Sequence, residues 1–209
     1  MKSFRRPNAW QRISRVRLPR RRGGLGPRFT AAAITWLLVS VPSLQAQHAK
    51  PTEYEVKATY LYNFIRFVEW PAKVAQVQTG SIVICVLGRD PFGPALNAIV
   101  KDEVIAGKSV VAQQILTAQD ALNCRVLFIS SSEDARLKQI LTTLGDASVL
   151  TVSELPQFTQ QGGMVQFISE GNRVRFKVNL ASTEHAGLRP SSELLKVAIN
   201  VKRSGRPGE

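Results

Sequence analysis

The sequence predicts an α/β fold, a layered sandwich in which a mixed sheet of about six strands, a parallel core plus a C-terminal antiparallel hairpin, is flanked by helices. Three observations carry that expectation. Two continuous apolar runs rich in β-branched residues, SIVICVLG at 81–88 and RVLFISS at 125–131, read as parallel strands buried on both faces. They alternate with stretches of helical period. Near the C-terminus MVQFIS and NRVRFKVNL meet at Glu170-Gly171-Asn172 as the two arms of a hairpin.

The first element is a helix. Over residues 52–69 the side chains of Tyr54, Ala58, Leu61, Ile65 and Val68 recur at helical spacing, and Val56, Tyr60, Phe64 and Phe67 lie beside them. With Tyr62 added, the apolar arc leaves only a narrow sector for Glu55, Thr59, Asn63 and Arg66, so the helix is mostly buried. An arc this wide needs more than one covering surface. Pro71 forces Trp70 out of the helical region. SIVICVLG follows as the central strand, and Asp90-Pro91 reads as the N-cap and first residue of a helix whose Phe92, Leu96 and Ile99 face inward. SVVAQQI, 109–115, is the second strand and RVLFISS the third.

Ser130 and Glu133 have the spacing of a capping box at the head of EDARLKQILTTL, where Leu137, Ile140, Leu141 and Leu144 form the buried stripe and Gly145 ends it. SVLTVS, 148–153, gives the fourth strand. In the second hairpin arm Val174, Phe176, Val178 and Leu180 alternate with Arg173, Arg175, Lys177 and Asn179, so one face is core and the other wet. After a helical turn ending near Gly187, Ser191 caps a last helix carrying Leu194, Leu195, Val197, Ala198 and Val201. No repeat or linker divides residues 50–201, which read as one domain followed by a polar tail over 202–209.

Residues 1–46 read as a signal peptide with a long basic leader. The chain of 209 residues has a formal charge of +13, and ten of its 28 basic residues fall in the first 28 positions, before the first acid at Glu53. The remainder holds 18 bases against 15 acids, a net +3, so the charge bears on targeting and not on a nucleic-acid partner. FTAAAITWLLVSV, 13 residues, then Pro42 and the small residue Ala46 complete the layout of a secretory signal cleaved after Ala46. The alternative is an uncleaved anchor, for which the run falls short of the roughly 20 residues a span requires. Translation from a codon at Val16, Leu18 or Leu25 would shorten the leader. Export makes the domain periplasmic, with no stable membrane insertion after cleavage. In that oxidising compartment Cys85 and Cys124 favour one structural disulfide, worth about 4 kcal/mol over its loop, against the alternative of two buried thiols.

Catalytic constellations are nearly absent. His48 and His185 are the only histidines, so metal clusters and nucleophile–base pairs have little to draw on. No catalytic residue, metal or cofactor is assigned. GRDPFG, 88–93, sits where a phosphate loop would, but lacks the required glycine spacing and is explained as a cap and turn. Arg173, Arg175 and Lys177 form a basic row, which on an edge strand is an ordinary device against aggregation.

Several segments together resemble the YfiR family: EYEVKATYLYNFIRFVEWPA (53–72), ICVLGRDPFG (84–93), NCRVLFIS (123–130), VLTVSELPQFTQQGGMVQFISEGNRVRFKVNL (149–180) and AGLRPSSELLKVA (186–198). The resemblance implies a non-enzymatic periplasmic regulator that binds and represses an inner-membrane signalling protein, a diguanylate cyclase or similar sensor, lowering cyclic di-GMP and biofilm formation. It also implies a homodimer and response to envelope redox state, with Cys85 and Cys124 in the two segments that carry one disulfide. The second cysteine pair of some members has no counterpart around QFTQQGGMVQF. Partner or dimer contacts are assigned to Arg66, Glu69, Trp70, Phe158 and Met164. A different class of function is a periplasmic small-ligand receptor, with its ligand at the carboxyl ends of the parallel strands near Gly88 to Phe92.

Overall fold

A computed structural model describes residues 50–72 and 80–202. The expected signal segment 1–46, its cleavage site and the tail beyond 202 lie outside the described residues.

Helix α1 (Glu53–Phe67) is opened by a capping box: Thr52 Oγ1 accepts from the Glu55 N–H, and the Glu55 carboxylate accepts from the Thr52 N–H at 2.6 Å. It ends at Phe67, before the proline can act. The next two residues, β1 (Val68–Glu69), pair antiparallel with β9 (Arg189–Pro190), and the Ser191 N–H bonds the Phe67 carbonyl. Tertiary pairing therefore takes the backbone groups that a further helical turn would have used.

Among the described residues the main sheet has eight strands: β2 (Ile82–Leu87), β3 (Val104–Ile105), β4 (Lys108–Ile115), β5 (Val126–Ile129), β6 (Leu150–Ser153), β7 (Val165–Glu170), β8 (Arg173–Asn179) and β10 (Asn200–Lys202). Their order is β10-β8-β7-β6-β5-β2-β4-β3. Strands β4, β2, β5, β6 and β7 are mutually parallel, and β7–β8 is the expected antiparallel hairpin, with Glu170 opposite Arg173. The two strands beyond the expected six are short. β3 folds back on β4 through Ala106 and Gly107, whose φ of 51° and 77° suit the tight mirror-image turns of hairpins. β10 lies parallel to β8, so Val201 is a strand residue opposite Val178 and not part of the last helix. That helix, α5 (Ser192–Val197), stops because Ala198 is extended and the Ile199 N–H is taken by the Phe176 carbonyl.

Two other helix starts differ from expectation, each for a backbone reason. Helix α2 (Pro94–Val100) begins after Gly93, not at Asp90. Gly93 precedes a proline and so is kept from helical geometry; its φ is 54°, and Asp90 instead accepts from the Phe92 N–H at 2.8 Å. The box at Ser130 and Glu133 does not form, because the Ser130 N–H is committed to the Leu87 carbonyl. A 3-10 turn, Ser131–Arg136, intervenes before α3 (Leu137–Leu144), and Glu133 pairs with Arg136. Asn179 caps the remaining helix, α4 (Leu180–His185).

Alternation along the strands divides the core in two. Ile84, Val86, Phe128, Val152, Phe167, Phe176 and Val178 face α1, α2 and α5. Cys85, Leu87, Leu127 and Ile129 face α3, Leu155 and Phe158. On this second side a disulfide joins Cys85 to Cys124, Cα atoms 5.9 Å apart, tying the central strand to the 3-10 turn Asp120–Asn123.

Candidate functional site

Helix α1 turns an inner face into the core and an outer flank toward solvent, and the two have different uses. The inner one holds Ala58, Leu61 and Phe64, all fully buried. Phe64 meets Phe167 and Phe176 at ring-centroid distances of 6.0 and 5.4 Å, and Tyr60 meets the same two rings from the rim.

At the N-terminal end of this face sits a buried cation. Lys57 is only 1% exposed, and its Nζ donates to Glu154 Oε2 at 2.6 Å and Glu53 Oε1 at 2.5 Å. Tyr54 donates its hydroxyl to Glu154, and its ring lies 4.7 Å from the same ammonium. Burial pulls the Lys57 pKa down, but the bonds and charges of Glu154 and Glu53 more than offset this and leave it above the ordinary lysine value. Glu53 is held below the ordinary carboxylate range by Lys57 and Ser169. The triad fastens α1 to the end of β6. A lysine on the apolar arc is thus a structural clamp, which the residue pattern alone did not reveal.

At the carboxyl ends of the parallel strands, where an open α/β sheet holds ligands, a pocket of about 160 Å³ lies beyond β2 and β4, lined by Leu87, Leu116, Thr117, Arg136, Gln139 and Thr143. The crevice between β2 and β5 is occupied by Gly88 packed on Ser132 and Glu133; a Cβ on Gly88 would come within 2.5 Å of Ser132 Oγ. The Arg89 N–H donates to Ser132 Oγ, and Gln114 donates to the Gly88 carbonyl. Phe92 is buried between Tyr54 and Phe128. The stretch from Gly88 to Phe92, expected to line a ligand site, is a packed junction.

The outer flank of α1 is open. Between α1 and α5 runs a trough of about 220 Å³ lined by Tyr60, Asn63, Phe64, Phe67, Glu193, Leu194 and Val197. A wider groove of about 590 Å³ continues toward α2, where Val56 and Ile99 join Tyr60 and Asn63. Phe67 is 39% and Val197 56% exposed. The arc of the helix read as mostly buried is therefore covered on its inner half only, with Tyr62 and Tyr60 at its margins.

The residues expected to contact a partner do not converge. Arg66 and Glu69 are exposed at the end of α1 and on β1. Trp70 is half-buried beneath the Arg125 guanidinium, 5.2 Å from its ring centre, and its indole N–H is buried with no hydrogen-bond partner. Phe158 and Met164 belong to the core: Phe158 is fully buried, Met164 is 6% exposed, and they lie on opposite sides of the sheet. Neither presents its side chain to a partner, because the loop that carries them folds inward, with the Met164 N–H on Thr151 and the Gly163 N–H on the Phe158 carbonyl. The trough brings together Tyr60, Asn63 and Val197, none of them among the residues expected to meet a partner; the excess width of the arc pointed only toward the α1 side of it.

Among the described residues no group of three or more His, Cys, Asp or Glu is placed to hold a metal ion, and no helix is long and apolar enough to cross a membrane.

Among solved structures, the chain is similar to a conserved domain protein from Vibrio cholerae O1 biovar El Tor strain N16961, with 11% identity and a TM-score of 0.50 over 72% of this chain and 60% of that one. It is also similar to an ABC domain from Streptococcus pneumonia in complex with L-Trp, with 8% identity and a TM-score of 0.48, over 69% of this chain and 60% of that one. The chain thus spans about 60% of the length of each, and the first likeness shows the fold alone. The sequence itself matches the YfiR/HmsC-like family over residues 54–199. That match points to a regulatory domain of the periplasm. The chain belongs to the YfiR/HmsC-like family.

Proposed function

We propose that this protein is exported through a cleaved signal over residues 1–46 and represses an inner-membrane signalling protein by contact, with a diguanylate cyclase as the partner. The observation that carries the reading is the apolar trough between α1 and α5, together with family membership. Phe67 and Val197 leave an apolar surface in water at the rim of a groove, which is how a surface that meets another protein differs from one that meets solvent. Glu193 and Asn63 on its walls supply polar groups for orientation. The partner's periplasmic segment would lay apolar side chains against Tyr60 and Phe67. Repression then needs no chemistry from this chain, only a preference for the partner's inactive state.

Deleting the gene and measuring cyclic di-GMP tests this, with rescue by the parent chain or by Phe67→Asp. The nucleotide should rise on deletion, fall with the parent and stay high with Phe67→Asp. Unchanged nucleotide on deletion, with no cyclase co-purifying, removes the cyclase reading.

A further inference from the structure

Two neighbouring donors in the fold lack an acceptor. Arg125 stands just ahead of β5, fixed there because its N–H donates to the Val83 carbonyl and its own carbonyl accepts from the Leu150 N–H. It is only 6% exposed, yet among the described residues no carboxylate pairs with it. The acids that do form pairs are engaged elsewhere: Glu53 and Glu154 hold Lys57, Glu133 holds Arg136, and Asp146 meets His185. Burial lowers the Arg125 pKa, with no acid to raise it again. The guanidinium carbon lies 5.2 Å from the centre of the Trp70 ring, and the indole N–H of that ring is itself buried without an acceptor. Trp70 is held in place by the next residue, since Pro71 packs so closely on Gly187 that a Cβ there would lie 3.0 Å from Pro71 Cγ.

We propose that Trp70 and Arg125 together hold a small inorganic anion, chloride or an oxyanion such as phosphate, at the amino ends of β5 and β6. A buried polar group without a partner and a buried cation without a counter-charge are each costly. The ring face attracts the guanidinium but leaves its charge unbalanced. Water in the same place would satisfy the indole and still leave that charge. An anion answers both needs, and at this separation one acceptor about 3 Å from the indole nitrogen can also take a guanidinium N–H. Closure sets the size of the occupant. The indole nitrogen is shut off from solvent, so a bulky ligand cannot reach it without moving Trp70. Arg66 and Arg189, by contrast, are exposed, and water serves them.

The test uses the protein purified as the cell makes it, then refolded from denaturant without reductant into a buffer whose only anions are bulky organic sulfonates. Chloride or phosphate, added in the low millimolar range where general salt effects are small, should raise the unfolding temperature by a few degrees and then level off. Over the same range the indole N–H resonance of Trp70, identified by its loss in Trp70→Phe, should move. Arg125→Met keeps a long side chain over the ring and removes the unbalanced charge, so it should fold and should lose both responses. Trp70→Phe keeps the aromatic packing and should bind about tenfold more weakly, the loss of one hydrogen bond to a charged group. Saturation by chloride supports a halide-sized site, and saturation by phosphate alone supports an oxyanion site. A parent with no saturable response to either anion, or an Arg125→Met protein that responds as the parent does, overturns the proposal.

Discussion

The two faces of the sheet are fastened to their covers by different chemistry. On one, α1 is anchored by Lys57 between Glu53 and Glu154; on the other, the turn at Asp120–Asn123 is anchored by the Cys85–Cys124 bond. The ionic anchor is worth having only while all its members are present, since a buried cation without an acid is costly. The covalent anchor acts largely by restricting the unfolded chain. One face is therefore sensitive to protons and the other to reductant, in a single sheet that must be stable on both.

The largest break in this symmetry comes from reduction or from Cys85→Ala with Cys124→Ala, expected to cost about 4 kcal/mol by the loop-entropy argument and read by denaturant titration. Two free thiols in unfolded, non-reduced protein would show that the bond is absent in solution. Next is Glu154→Ala, which strands Lys57 with one exposed acid and should cost about 3 kcal/mol. Lys57→Met should cost less than Glu154→Ala, because Glu53 and Glu154 can both reach water once the cation is gone. If Lys57→Met proves the worse of the two, the stranded-charge account fails.

A smaller effect separates the faces by pH. Glu53 has a lowered pKa, so its contribution is complete above the ordinary 4.5 and disappears as pH falls through the lower folded value. Lys57 has a raised pKa, so its share is complete below 10.5 and disappears as pH rises through the higher folded value. Glu53→Gln should then be less stable than the parent above pH 4.5 and converge on it in acid, whereas removing the disulfide should cost the same throughout that range. Smallest in stability is Phe67→Ser on the open flank, expected within about 0.5 kcal/mol of the parent, since exposed positions tolerate change. Under the proposed function its measurable consequence is lost repression.

The parts of the fold legible in the sequence were those where a short-range pattern has one physical solution. The continuous apolar runs at 82–87 and 126–129 suit only a strand covered on both sides, and the alternation from Val174 to Val178 sets the hairpin face. Boundaries set by distant pairing were not legible: β1 halts α1 through Arg189 and Pro190, and β10 draws Val201 out of the helix through Val178. The site suffered most. Trp70, Phe158 and Met164 were chosen by residue type, but exposure depends on which neighbours arrive from elsewhere in the chain. Lys57 shows the converse, since nothing local to α1 announces Glu154, ninety-seven positions later.

The pairing of β10 with β8 has a consequence for the order of events in folding. Residues 200–202 come last among the described strands of the sheet, and until they dock β8 shows its outer backbone groups to whatever is nearby. A chain that has not yet docked β10 thus leaves β8 as an open edge. Chaperone demand should be greatest in that window, and a chain cut before Asn200 should aggregate on refolding where the complete one does not, as pelleting after dilution from denaturant would reveal.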